Sequence, residues 1–422
     1  MVLNQTCTVN VKEAIRISNG SLSKSFWGMF KQTSVAYLFD IFGLLAGFLI
    51  AYQLNIFGTT KWALALFPTL ISTRVINGLL SGRLSTGLHL GTIYPRFSGN
   101  TKSFNKLVHS VIVLTLATSV MVSLMSFVLG YAFWGITIGD FSAILSVMVA
   151  TLALGLLFSI ITIKVAFVSF SRGLDPDIVV FPIISSLASI FISLCYVGVF
   201  NLFHFIPFFG RLTILGIGFV HIAIVLYLLS KDKGEPEFLR TIRESLAMLV
   251  IVALIVTVTG TLFRTINSFA ESRAEINLIL PAIVTIYPSI INMVSNVGSV
   301  VGSTANTKLA LGLLSPSFSS IKNHGKNILS AWLASFIMFS ILALISLAAN
   351  QVHPLSSAID FLVIIWLSNL LATVGIVFLS YGISIITFKR GLNPENFVIP
   401  VETSFAAIIM STALLIVLLL IL

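Results

Sequence analysis

The chain has 422 residues, 57% of them hydrophobic and 9% charged, with a formal net charge of +10. That much apolar surface excludes one or two soluble domains and defines a polytopic membrane protein. The 24 basic residues are dispersed through short loops rather than gathered on one face, which argues against a nucleic-acid partner and fits loop charges beside membrane spans.

In chain order, the N-terminal "MVLNQTCTVNVKEAIRISNGSLSKSF" has no apolar core with a small-residue cleavage site, so targeting is expected to fall to the first transmembrane helix. The stretch "SLSKSFWGMFKQ" is amphipathic enough to lie on the inner membrane surface. Apolar runs between charged breaks predict eleven spans, at 33–53, 62–80, 107–132, 142–163, 178–200, 208–230, 246–268, 277–301, 327–349, 359–387 and 397–422. Cys7 in the tail and Cys195 deep in an apolar run are not expected to bridge.

An N-terminus in the cytoplasm puts 19 Lys and Arg side chains inside and four outside, namely Lys61, Arg211, Arg264 and Arg273, with Arg74 intramembrane. The expected orientation is therefore N-terminus in and C-terminus out, at the plasma membrane. The polar segment "SKDKGEPEFLRTIRES" at 230–245 reads as a cytoplasmic hinge.

One stretch is written twice: "RGLDPDIVVFPIISS" at 172–186 returns as "RGLNPENFVIPVETS" at 390–404. Glycine suits a helix C-cap, Asp or Asn caps the next helix, and Pro is tolerated in its first turn. The second spans also correspond, through Pro68 and Pro288, Asn77 and Asn296, Gly78 and Gly298, and Gly82 and Gly302. Spans one to five thus form one unit and seven to eleven another, and the unmatched sixth span lets two odd-numbered units face the same way. The expected fold is all-α: 1–205 as a first five-helix repeat with its N-terminal amphipathic stretch, 206–245 as linker helix and hinge, and 246–422 as a second repeat, forming a monomeric pseudo-dimer in lipid.

Pro182 and Pro400 interrupt the fifth span of each unit and are followed by hydroxyls: Ser185, Ser186 and Ser189 in one, Thr403 and Ser404 in the other. A proline frees a backbone carbonyl, which in a membrane needs water, a hydroxyl or an ion; the two readings here are a satisfied kink and a pore lining. Small residues in the second spans fit close packing, whereas Asn77, Asn296 and Arg74 are costly unless they face a polar path or one another. Among the acids, Asp40 and Glu402 stand inside apolar runs. A carboxylate beside freed carbonyls is oxygen chemistry, suited to a hard cation such as Mg²⁺ that keeps several waters. There is no H-E-x-x-H, no Walker A pattern and no cysteine pair at zinc spacing, so an enzyme is not expected.

"FPTLISTRVINGLLSGRLSTGLHLG" resembles the P-x-L…R…N…S-R-L-S-T-x-L-H-L-G segment of the MgtE-like divalent-cation transporters, including their solute-carrier 41 branch, and "RGLDPDIVVFP" resembles that family's G-L-D-P-D-N-x-x-x-P element. The resemblance spans both halves and implies a Mg²⁺ or related divalent-cation transporter, its pore built from the second and fifth helices of two units, as in the bacterial homodimers. The cytoplasmic N-domain and CBS pair of bacterial members have no counterpart, so their Mg²⁺-sensing gate does not carry over. Nor does the acid sixteen positions after the G-L-D-P glycine, whose place is taken by Ser189 and Ala407.

The resulting expectation is transport of divalent cations, Mg²⁺ first, with Glu402, Asn77, Asn296, Ser185, Ser189, Thr403 and Asp40 as metal-site residues and no cofactor. The alternatives are a non-conducting membrane regulator or scaffold with a degenerate pore, a Na⁺-coupled exchanger in place of a channel, and a carrier of a small organic solute.

Overall fold

The computed structural model describes residues 26–72, 80–81, 83–84, 87–88, 91–171, 176–310, 312–390 and 395–421, and no strand occurs among them. Helix α1 (Phe26–Tyr37) passes through a 3₁₀ turn at Leu38–Asp40 into α2 (Ile41–Ala51), making one span, and α3 (Ala63–Ser72) begins the next. There follow α4 (Lys102–Phe133), then α5 (Asp140–Gly155) and α6 (Leu157–Ser171) in line, α7 (Pro176–Phe205) and α8 (Pro207–Asp232). The second half holds α9 (Pro236–Glu271), α10 (Leu280–Ala310), α11 (Gly325–Ala349), α12 (Leu355–Lys389) and α13 (Glu395–Ile421). Three helices open on proline, whose missing N–H costs nothing in a first turn.

Ten helices among the described residues are long and apolar enough to cross a membrane. The eleventh expected span, 62–80, is represented by α3, with Asn77 and Arg74 outside the described residues, as are the turns 172–175 and 391–394. Several helices outrun their apolar stretches. The first span starts at Phe26 rather than 33, so part of the expected surface stretch belongs to it. α4 starts at Lys102, where the Thr101 side chain accepts from the Phe104 N–H at 3.3 Å and so caps a polar first turn. The fourth span has a one-residue irregularity at Leu156, which keeps helical backbone angles, whereas its repeat partner α12 is regular throughout.

The two halves exchange their first spans. α2 packs on α10, the second span of the other half, and α9 packs reciprocally on α3; α1 lies against α11, and α9 lies against α4. Each first span also touches the fifth span of its own half, α2 on α7 and α9 on α13. The same relation holds at single atoms. A Cβ on Gly47 would lie 2.1 Å from the Thr285 carbonyl oxygen, and one on Gly260 would lie 2.2 Å from that of Ala65. Thr285 and Ala65 each stand three residues before a helix-interior proline, Pro288 and Pro68. The proline frees the carbonyl four residues back, that of Val284 or Leu64, and the glycine lets the neighbouring backbone close on the carbonyl next to it. At the same seam the Thr69 hydroxyl donates to the Val256 carbonyl at 3.2 Å.

Candidate functional site

α10 is the most enclosed of the described spans. Of its most apolar stretch 94% is buried, against 53% or less for the other nine spans. Yet one face of it is polar, with Thr285, Ser289, Asn292, Asn296 and Ser299 at spacings of four, three, four and three, which align on a helix. The first four are buried and Ser299 is half-buried. A polar stripe on the most enclosed helix of a membrane protein needs partners, and two of these residues receive carboxylates.

Asp40 ends the 3₁₀ turn between α1 and α2 and is 1% exposed. Asn296 Nδ2 donates to its Oδ2 at 2.7 Å, and Ser186 Oγ on α7 donates to its Oδ1 at 3.4 Å. Three elements from both halves therefore meet on one acid. The Tyr37 hydroxyl, one turn earlier, is buried with no hydrogen-bond partner among the described residues.

Glu402 lies on α13, fully buried two residues past Pro400, through which the helix continues. Ser299 Oγ donates to its Oε2 at 3.2 Å. The Ser380 hydroxyl on neighbouring α12 also bears on Glu402, short of full hydrogen-bond geometry, and none of the ion pairs found among the described residues involves Glu402. Among the described residues its polar neighbours are the Ser299 and Ser380 hydroxyls, and burial opposes the charge of such a carboxyl unless a cation sits beside it.

The two acids thus arrive at residues three positions apart on α10, within one helical turn. The repeat has no matching pair in the mirrored position. Counting from the duplicated glycines, Ile184 stands in the place of Glu402; counting back from Gly260 as Asp40 stands from Gly47, Ala253 stands in the place of Asp40. Both are buried apolar residues.

Of the metal-site residues expected from the sequence, Asp40 and Asn296 are hydrogen-bonded to each other, and Glu402 meets α10 at Ser299, three positions on. Thr403 is buried beside Glu402, and Ser189 is buried on α7 like its equivalent Ala407 on α13. The Ser185 side chain and all of Asn77 fall outside the described residues. Ser299 and Ser380 escape a reading of single residues; the four-three spacing along α10 would have found Ser299, while Ser380 looks like any small residue in an apolar run. No group of three or more His, Cys, Asp or Glu side chains that would hold a bare metal ion occurs among the described residues. Two carboxylates, an amide and hydroxyls are instead a donor set for a hard cation that keeps part of its water.

A family model described as MgtE, divalent cation transporter, matches residues 67–199 and again 287–420, together more than half of the chain. Each match begins at the second span of its half, one or more helices after the exchanged first span. No curated protein and no solved structure matches the chain.

Proposed function

The chain belongs to the MgtE family of divalent cation transporters, and from that membership we propose that its cargo is Mg²⁺, carried along the polar face of α10 between two pseudo-symmetric halves. The protein is a multi-pass membrane protein of a transporter family, not an enzyme family. The observation that carries the finer reading is the convergence of Asp40 and Glu402 within one turn of α10. Mg²⁺ dehydrates reluctantly and takes one or two carboxylates with its remaining waters, and that is the ligand count on offer.

In this reading Asp40 and Glu402 supply the fixed charge, Asn296 and Ser299 position them, and Ser185, Ser189, Thr403 and Asn77 add neutral oxygens along the two fifth helices and the partner of α10. The first repeat comprises 1–205, the linker 206–245 and the second repeat 246–422, with one chain sufficing as a pseudo-dimer. The N-terminus faces the cytoplasm and the C-terminus the outside of the plasma membrane, as the basic loops favour.

Purified protein in liposomes loaded with a Mg²⁺ indicator tests this. Flux is expected from the wild type and a large loss from Glu402→Gln. Equal flux in both disproves the site, and no flux for any divalent cation disproves the transport path.

A further inference from the structure

The two seams at which a first span crosses to the other half correspond residue by residue. Gly47 matches Gly260, Gly43 matches Val256, and Thr285 and Ser289 match Ala65 and Thr69. The seam of α9 on α3 is bonded across. The buried Thr69 hydroxyl lies 3.2 Å from the Val256 carbonyl oxygen and 2.9 Å from that of Ala65, so its one proton has an acceptor on either side. α9 is tied a second time, by Trp134 Nε1 donating to the Thr261 hydroxyl at 3.2 Å and by Arg264 donating to the Trp134 carbonyl at 3.1 Å.

The seam of α2 on α10 is as tight but is bonded differently. A Cβ on Gly43 would lie 2.7 Å from the Ser289 hydroxyl oxygen, the atom that corresponds to the Thr69 hydroxyl. Yet Ser289 Oγ is buried with no hydrogen-bond partner among the described residues. The Tyr37 hydroxyl, on the same first span, is buried without a partner as well, where the other first span has the exposed Val250. Polar atoms shut away without partners cost free energy, and water restores it once it reaches them. Closure is therefore less favourable at the α2 seam than at the α9 seam, and the α2 seam is the one that covers the polar face of α10.

We propose that the path opens at this seam: the span α1–α2 draws away from α10, whereas its counterpart α9 stays on α3. One of two equivalent seams is the gate, an assignment that rests on reading the polar face of α10 as the cation path.

Ser289 and Thr69 are both fully buried, so a thiol placed at either reacts with a water-borne reagent only when its seam parts. The full chain in liposomes, with Cys7 and Cys195 replaced by Ser, serves as background. Ser289→Cys is expected to react with a small charged methanethiosulfonate at least about tenfold faster than Thr69→Cys, the ratio that rehydrating one unpaired polar group provides. Two further variants need no thiol. Ser289→Ala removes the unpaired hydroxyl, so its melting temperature should hold or rise while Mg²⁺ flux falls severalfold. Thr69→Val loses the bond across its seam, so its melting temperature should drop while flux per folded molecule holds. Equal or inverted reactivity of the two thiols overturns the proposal even where Mg²⁺ flux is present, and so does flux that Ser289→Ala leaves unchanged. Fast reaction at position 289 in a chain that carries no divalent cation upholds the moving seam and removes only its cargo.

Discussion

Asn296 donates a 2.7 Å hydrogen bond to Asp40, joining residues 256 positions apart across the seam between the two halves. The seam exists because each first span crosses to the other half, so a residue of the first span and one of the opposite second span become neighbours. The α10 side of that seam is buried, and a charge in such a place is stable only when hydrogen-bonded.

Replacing Asn296 with Leu deprives Asp40 of its 2.7 Å hydrogen bond. The expected cost is about 1–3 kcal/mol, as is usual when a buried charged acceptor loses a partner. Asp40→Asn keeps the shape, since the new amide oxygen still accepts from Asn296, but removes the charge. Thermal unfolding in detergent should therefore drop for Asn296→Leu and hold near wild type for Asp40→Asn, while Mg²⁺ flux falls in both. A flux-competent Asp40→Asn would remove that acid from the path.

Glu402→Gln asks the same question at the second acid. Ser299 can still donate to the amide oxygen, so folding should be preserved. What changes is the attraction for a divalent ion in a low-dielectric enclosure, and a loss of at least about tenfold in apparent cation affinity is expected, or about 1.4 kcal/mol. The measurement is the concentration dependence of Mg²⁺ influx. Ser380→Ala, which removes the neighbouring hydroxyl without touching charge, should shift the curve less than Glu402→Gln does.

Ten of the apolar spans, the repeat and the isolated acids were legible because each is a local signal: an apolar run, a duplicated turn, a carboxylate among leucines. The exchange of first spans was not. Nothing in the run 41–51 or the run 246–268 says which half it packs on; that is decided by shape, at Gly47 and Gly260, whose glycines look like many others in the chain. Asn296 was visible as a polar residue in a span, but its partner was not, since 256 positions separate them and only the fold brings them together. The irregularity at Leu156 was missed for a different reason: both sides of it are apolar, and hydropathy is blind to a local change in backbone hydrogen bonding.

The two close approaches make the internal two-fold testable. A methyl group on Gly47 or on Gly260 would overlap the opposing carbonyl, at 2.1 and 2.2 Å. Gly47→Ala and Gly260→Ala are each expected to lower stability by about 1–3 kcal/mol through overpacking. Gly198→Ala in α7, where a Cβ meets nothing within 4 Å, should be close to neutral. Melting temperatures followed by size-exclusion elution read all three, and a large difference between the Gly47 and Gly260 variants would contradict the reciprocal packing.

At the end of the linker helix, Asp232 has no exposed side-chain surface and takes Lys106 Nζ at 2.5 Å on one oxygen and His109 Nδ1 at 2.6 Å on the other. Glu235, just beyond, lies 3.5 Å from the same ammonium. These contacts fasten α8 to α4 at the point where the chain leaves for the second half, and α8 is otherwise the least buried of the spans. Asp232→Ala should release that end, because Lys106 keeps only the longer contact to Glu235 and the last turn of α8 can fray. Limited trypsinolysis after Lys231 and Lys233 reports on such fraying, since cleavage needs local unfolding. A several-fold faster cut is expected in Asp232→Ala than in the wild type, whose rate should change little in high salt because the enclosed carboxylate is poorly screened. An unchanged rate in the variant would mean that packing against α4 and α5 holds the linker without this cluster.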